Sequence, residues 1–263
     1  MIDHQPPLIA WERVSVMRGE TLALDGLTLR IGAGEHVAIL GPNGCGKSTL
    51  IKTITRELYP LNRPGASLSI LGRPDWHILE LRNLLGIVSN DLMTQCTRDV
   101  TGLELVLSGF FSSVEIWPGY HEVTSDMHAR ALAALERLEA GYLADRYTDE
   151  MSSGEARRVL IARALVHQPR AIVFDEPANS LDIFAQAELR RSMRSLAAQG
   201  VGIVLVTHHL GDIIPEIDRV VLMKEGRVVA DLPKEQALTP ERLSPLFGMN
   251  VTVVRNDGHY QAW

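Results

Sequence analysis

The chain has 263 residues, 46% of them hydrophobic, enough for one large core or two small ones. Its formal net charge of −6 excludes a basic footprint over the whole surface, and with it a general nucleic-acid binder. Cys45 and Cys96 do not make a disulfide framework and point to a reducing cytosol, MIDHQPPL lacks the basic and apolar regions of a signal peptide, and no apolar run approaches the roughly 20 residues that cross a bilayer.

Taken in chain order, Leu24 to Ile31 (LDGLTLRI) alternates like a half-buried strand, and Ala66 to Leu71 does the same. His36 to Leu40 is apolar almost throughout, as in a parallel strand buried on both faces. The pattern from Lys47 to Glu57 is helical. Asp91 to Glu150 holds no clear buried strand. Its helical runs, near Thr101 to Phe110 and Ser125 to Leu138, flank the turn-forming WPGYHEV. There Ala131, Leu132, Leu135 and Leu138 are expected to form a packing stripe. A helix from Ser152 to His167 follows, then a buried strand from Ala171, a helix from Asp182 to Ala198 and a second buried strand, Val201 to Val206. Arg219 to Lys224 and Arg227 to Leu232 form a hairpin around Glu225-Gly226. The expected fold class is α/β, with a mostly parallel core sheet, an N-terminal antiparallel β side sheet and an inserted helical subdomain. One domain of residues 1–263 is expected, with the insertion at about 91–167.

HVAIL runs directly into GPNGCGKST, Gly41 to Thr49, and then into LIKTITREL. Strand, glycine loop and helix thus follow in the order that a phosphate-binding loop requires. Gly41, Gly44 and Gly46 let the backbone curl so that successive N–H groups, through Asn43 and Cys45 to Thr49, point inward at phosphate oxygens. The helix beginning near Lys47 adds the positive end of its dipole. Lys47 can reach the terminal phosphates, and the Ser48 hydroxyl can ligate Mg²⁺. Nucleotide binding follows from this stretch alone.

FDEPANSLD, Phe174 to Asp182, sets two carboxylates side by side at the end of a buried strand. With a phosphate loop in the same chain, Asp175 is expected to hold Mg²⁺, directly or through water, at the edge where α/β sheets bind ligands. Glu176 can then accept the proton of the water that attacks the γ-phosphate. The charge of the metal and phosphates changes the local electrostatics, so the two acids need not simply repel each other.

MSSGEARRVLIARALVHQP, Met151 to Pro169, resembles the signature motif and helix of ABC ATPases. ANSLD resembles their D-loop and VLVTHH, Val204 to His209, their switch histidine. The order of motifs matches too, and the resemblance covers nearly the whole chain. Independently of it, Ser152 and Glu155 are spaced as a capping box, and a capped helix start with Ser152 and Gly154 is an anion site. The resemblance implies that Ser152 and Gly154 meet the γ-phosphate held by a partner ATPase, that Asp182 mediates cross-talk between the two, and that His208 contacts the γ-phosphate with His209 as a bystander. The chain departs from the family at Met151, Ser153 and Glu155, where leucine, glycine and glutamine are usual. Arg18, in VSVMRGE, stands where an aromatic usually stacks on adenine. A guanidinium plane can also stack on a base, and an exposed loop arginine is the equal alternative. Asn90 stands where a glutamine usually ligates Mg²⁺, and being one methylene shorter it reaches the ion most easily through a bridging water.

The resemblance further implies an ATPase that uses ATP and Mg²⁺ and forms a head-to-tail dimer with a second copy of itself or a homologous ATPase. It would serve an importer-like ABC transporter with separate membrane permease subunits, and so lie on the cytoplasmic face of the membrane. Nucleic acid is not an expected partner. LELVLSGFFSSVEIW and SSGEARRVLIARAL look similar to molybdate- or iron-chelate-type ATP-binding proteins. The alternative is a soluble ABC ATPase acting as a mechanical or regulatory switch. A simple GTPase is disfavoured, since no NKxD-like guanine-reading motif occurs.

Overall fold

The computed structural model describes residues 6–89, 92, 100–113, 115–117 and 119–263. It divides into two compact units, Met1–Leu81 with Gly202–Trp263, and Arg82–Val201.

In the first unit, strands β1 (Ile9–Arg18) and β2 (Thr21–Ile31) form an antiparallel hairpin closed by Arg18 opposite Thr21. From Leu27 onward β2 buries every second residue, Leu27, Leu29 and Ile31, as the alternation in the sequence requires. Strand β3 (His36–Leu40) leads into helix α1 (Lys47–Ile54), and β4 (Ser67–Ile70) pairs with the free side of β1. The order β2-β1-β4 is the expected antiparallel side sheet. Helix α1 stops short of Glu57, because Arg56 takes a left-handed φ of 60° that a helix cannot continue through.

Helix α2 (Ile78–Leu84) leads into β5 (Leu85–Ser89) of the second unit. There β5 pairs in parallel with β6 (Ala171–Asp175), bringing Ser89 opposite Asp175. Helices α3 (Gly102–Ser108), α4 (Ser125–Glu136), α5 (Ser153–Leu165) and α6 (Ile183–Ala198) complete this unit. Helix α5 packs against α3, α4, α6 and β5, and buries Ala156, Val159, Leu160, Ile161, Ala162 and Leu165. Residues buried on several sides, Arg157 among them, mark a helix enclosed by its neighbours. In α4 and the turn after it, Ala131, Leu135 and Leu138 are buried as expected. Leu132 is not: it points outward, and Ala134 takes its place in the stripe. Spacings of three and four residues put 131, 134, 135 and 138 on one face, which 132 leaves.

The chain returns to the first unit through β7 (Gly202–Thr207), β8 (Arg219–Lys224) and β9 (Arg227–Pro233). Strand β3 lies between β7 and β8, parallel to both, and β9 runs antiparallel to β8 across the expected turn. Arg219 ties this group together by donating to Glu35, just before β3, and to both carboxylate oxygens of Asp231 on β9. Two short helices, α7 (Lys234–Ala237) and α8 (Pro240–Phe247), precede a terminal hairpin of β10 (Val253–Asn256) and β11 (His259–Ala262). Among the described residues, no helix is long and apolar enough to cross a membrane.

Trp11 on β1 and Thr53 on α1 are both fully buried, and the indole N–H donates to the Thr53 hydroxyl at 2.9 Å. Replacing Thr53 by Val keeps the shape but strands a buried donor, at a cost of about 1–3 kcal/mol. Urea denaturation of Thr53→Val is expected to show that loss with an unchanged m-value.

Candidate functional site

The phosphate loop is built by contacts that only glycine permits. A Cβ on Gly41 would lie 2.3 Å from the Met223 carbonyl oxygen and 2.7 Å from Cys45 Sγ. One on Gly46 would lie 2.6 Å from the carbonyl oxygen of Ala23, on β2. Gly44 and Gly46 also take left-handed φ values of 78° and 107°. The loop is pinned from outside as well, since the Gly226 N–H in the β8–β9 turn donates to the Cys45 carbonyl at 2.9 Å. Within the loop the Cys45 N–H donates to Pro42, and Leu50 opens the ladder of α1 by donating to Gly46.

Helix α1 has Gly46 at its N-cap, with no side chain to cap it, and carries no acid in its first turn. Its positive end is thus left to an anion. The Lys47 side chain is buried and crosses the loop, donating to the carbonyls of Gly41 at 2.7 Å and Pro42 at 3.1 Å. Asn43 and Ser48 are exposed beside it, while Cys45 and Thr49 are buried supports. A tight glycine cradle, an uncapped helix start and an ammonium at one turn fit the phosphates of a nucleotide. For the metal, no group of three His, Cys, Asp or Glu able to hold an ion exists among the described residues. Mg²⁺ on a nucleotide takes one or two protein oxygens and fills the rest of its octahedron with phosphate and water. The exposed Ser48 hydroxyl, at the start of α1, offers a hard oxygen of that kind.

His208 shares the unit with this loop, and strand register sets where it lies. Leu40, the last residue before the loop, is opposite Thr207, the last residue before His208. The His208 ring lies against that of His209, centroids 3.8 Å apart at 42°, so the two histidines are packing neighbours. Arg18 is exposed at the tip of the β1–β2 hairpin, whose second strand supplies the Ala23 carbonyl that crowds Gly46.

In the second unit, Asp175 ends β6 and Glu176 opens the turn after it, both partly buried. Glu176 adopts a left-handed φ of 49°, and its carbonyl accepts from Asn179. A non-glycine residue held in that region costs of order 1 kcal/mol or more and persists only where its surroundings enforce it. Asp182 caps α6, its carboxylate accepting from the Ala185 N–H at 2.7 Å. Ser152 caps α5 in a reciprocal box with Glu155: the Ser152 hydroxyl accepts from the Glu155 N–H, and the Glu155 carboxylate accepts from the Ser152 N–H at 2.9 Å. Gly154 lies beside the start of α6, where an added Cβ would come 3.1 Å from that of Ala185. The two capped helix starts, carrying Ser152 and Asp182, are therefore neighbours. Asn90 and Cys96 lie outside the described residues.

Glu155 explains one departure from the family pattern. Its carboxylate also accepts from Tyr142 at 3.1 Å and from Arg146 at 3.0 Å. Burial pushes its carboxyl up, but the Ser152 backbone and hydroxyl, Tyr142 and Arg146 together hold it below the ordinary value of 4.5. A depressed folded value means that the ionised group contributes stability above pH 4.5 and loses it as pH falls through the lower, folded value. Acid titration followed by circular dichroism is expected to show a steeper stability loss below about pH 4.5 in the wild type than in Glu155→Gln, which keeps the cap but cannot titrate.

The chain matches the family described as ABC transporter over residues 24–179. A hemin import ATP-binding protein of Hahella chejuensis is 31% identical, covering 92% of this chain and 93% of its own. Among solved structures, cbiO1 of Clostridium perfringens, part of the ABC transporter complex cbiONQ, superposes with a TM-score of 0.76 at 28% identity, over 92% of this chain and 94% of that one. The dimeric post-hydrolysis state of an ATP-binding cassette bound to ADP and phosphate gives a TM-score of 0.68 at 26% identity, over 86% and 98%. With residues 24–179 matched by the family and a 31% identical ATP-binding relative covering 92% of this chain, the chain belongs to the ABC transporter family and is one of its ATP-binding proteins, an ATPase.

Proposed function

We propose that the protein is the energy-coupling subunit of an importer-like ABC transporter, binding MgATP, closing head to tail on a second copy of itself or a homologous ATPase, and reopening on hydrolysis. The observation that carries this reading is the phosphate cradle, where Gly41, Gly46 and Lys47 meet at one uncapped helix start. The import name of the Hahella relative and the transporter complex that contains cbiO1 support a partnership with membrane permease subunits. The dimeric cassette supports pairing of two ATPases. The protein would then sit peripherally on the cytoplasmic face of the membrane.

The residues take the following parts. The backbone N–H groups from Asn43 to Thr49 bind the phosphates, and Lys47 exchanges its carbonyl partners for the terminal phosphate oxygens. Ser48, Asp175 and Asn90 are the side chains that would hold Mg²⁺. The ion, when bound, neutralises charge that develops on the phosphates. Glu176 accepts the proton of the attacking water, its turn fixed by the left-handed backbone. His208 donates to the γ-phosphate, and Arg18 stacks on the adenine. Ser152 and Gly154 contact the γ-phosphate held by the second copy, and Asp182 lies where the two copies meet.

Glu176→Gln keeps the shape of the side chain and removes the proton acceptor. Its turnover is expected to fall about 10²- to 10⁴-fold with ATP affinity retained, and light scattering should show an ATP-dependent dimer. Near wild-type turnover would remove the general-base role. Affinity purification in mild detergent should recover a multi-span membrane protein; recovery of the ATPase alone would favour the soluble switch.

A further inference from the structure

Thr207 closes β7 fully buried, and its hydroxyl donates to Asp212 Oδ2 at 2.7 Å. The same hydroxyl oxygen accepts from the His209 N–H at 3.0 Å. Asp212 is itself 4% exposed. A carboxylate in the interior is costly unless it is hydrogen-bonded, so its presence calls for a role. Here it joins the last residue of the strand to a 3-10 turn, Leu210–Asp212, and closes the chain into a short loop around His208 and His209. Backbone bonds from Asp212 to His209 and from Ile213 to Leu210 tighten that turn.

The turn is braced from outside as well. Lys234 of α7, also buried, donates to the Pro215 carbonyl at 2.7 Å. The terminal strand β11 packs on the turn, with Tyr260 4% exposed, and Gly258 lies against Pro215. The segment that follows the switch histidine is thus fixed by an internal hydroxyl–carboxylate bond and by the C-terminal hairpin.

We infer that Thr207 and Asp212 are positioning residues for His208, their hydrogen bond setting the direction in which the imidazole leaves the strand edge beside the phosphate loop. The inference rests on the reading of His208 as the γ-phosphate contact. A group that must meet a phosphate oxygen tolerates little misplacement, and a shift of about 1 Å can cost about 100-fold in rate.

The test is single-turnover ATP hydrolysis by the purified full-length chain, with Thr207→Val removing the hydroxyl at constant shape and Thr207→Ser retaining it. Thr207→Val is expected to slow hydrolysis by roughly 10-fold or more with ATP affinity changed by less than about twofold, and Thr207→Ser to return the rate to within about twofold of wild type. In a His208→Ala background, Thr207→Val should cause no further loss. An equal loss in both backgrounds, or a normal rate in Thr207→Val, overturns the inference. If Thr207→Val does not fold, Asp212→Asn takes its place as the weaker acceptor: it should slow the wild type and leave His208→Ala unchanged, and equal slowing in both overturns the inference. His208→Ala at full rate would instead bring down the role of His208 itself, a separate result from a slow His208→Ala paired with a normal Thr207→Val.

Discussion

The first unit depends on the register of one short strand. Strand β3 is five residues long and lies parallel to β7 on one side and β8 on the other, with Leu40 opposite Thr207 and Leu222. Parallel pairing aligns the C-terminal ends of all three strands. The phosphate loop and His208 leave the same edge for that reason, although some 160 residues of sequence separate them. A slip of one residue would turn every buried side chain of β3 to the opposite face, so the apolar packing that fixes register also fixes the site.

Close backbone packing is the second constraint. Gly41 and Gly46 touch chain from β8 and from β2, so two stretches of sequence far from the loop agree on where it must lie. In the role proposed for it, the loop would bind phosphates through main-chain groups, whose positions no side-chain rotamer can adjust. Preorganisation of such groups has to come from the scaffold, and it comes here from contacts too short for any other residue.

Much of this was legible in the sequence because periodicity reports burial. His36–Leu40, Ala171–Phe174 and Val201–Val206 are apolar runs because both of their faces are covered, and the alternation of Leu27, Leu29 and Ile31 marks a one-sided strand. The capping box at Ser152 and Glu155 was readable for a different reason, since its two bonds join residues three apart. What escaped reading lacked a local signature. Strands β10 and β11 are mostly exposed and four residues long, so neither alternation nor an apolar run betrays them. The Thr207–Asp212 bond depends on a turn whose geometry is set by tertiary packing. Leu132 was misassigned to the stripe because adjacent positions of a helix lie about 100° apart, a difference that a list of apolar residues conceals.

The left-handed backbone at Glu176 has an evolutionary consequence. Glycine would occupy that conformation with less strain, and asparagine tolerates it better than glutamate does. A population selected for thermal stability alone would therefore drift away from glutamate at this position. Under the general-base role proposed for Glu176, the strain is the cost of placing a carboxylate at this turn, and a homologous sequence with glycine or asparagine there would read as a cassette that has kept its fold and given up its chemistry.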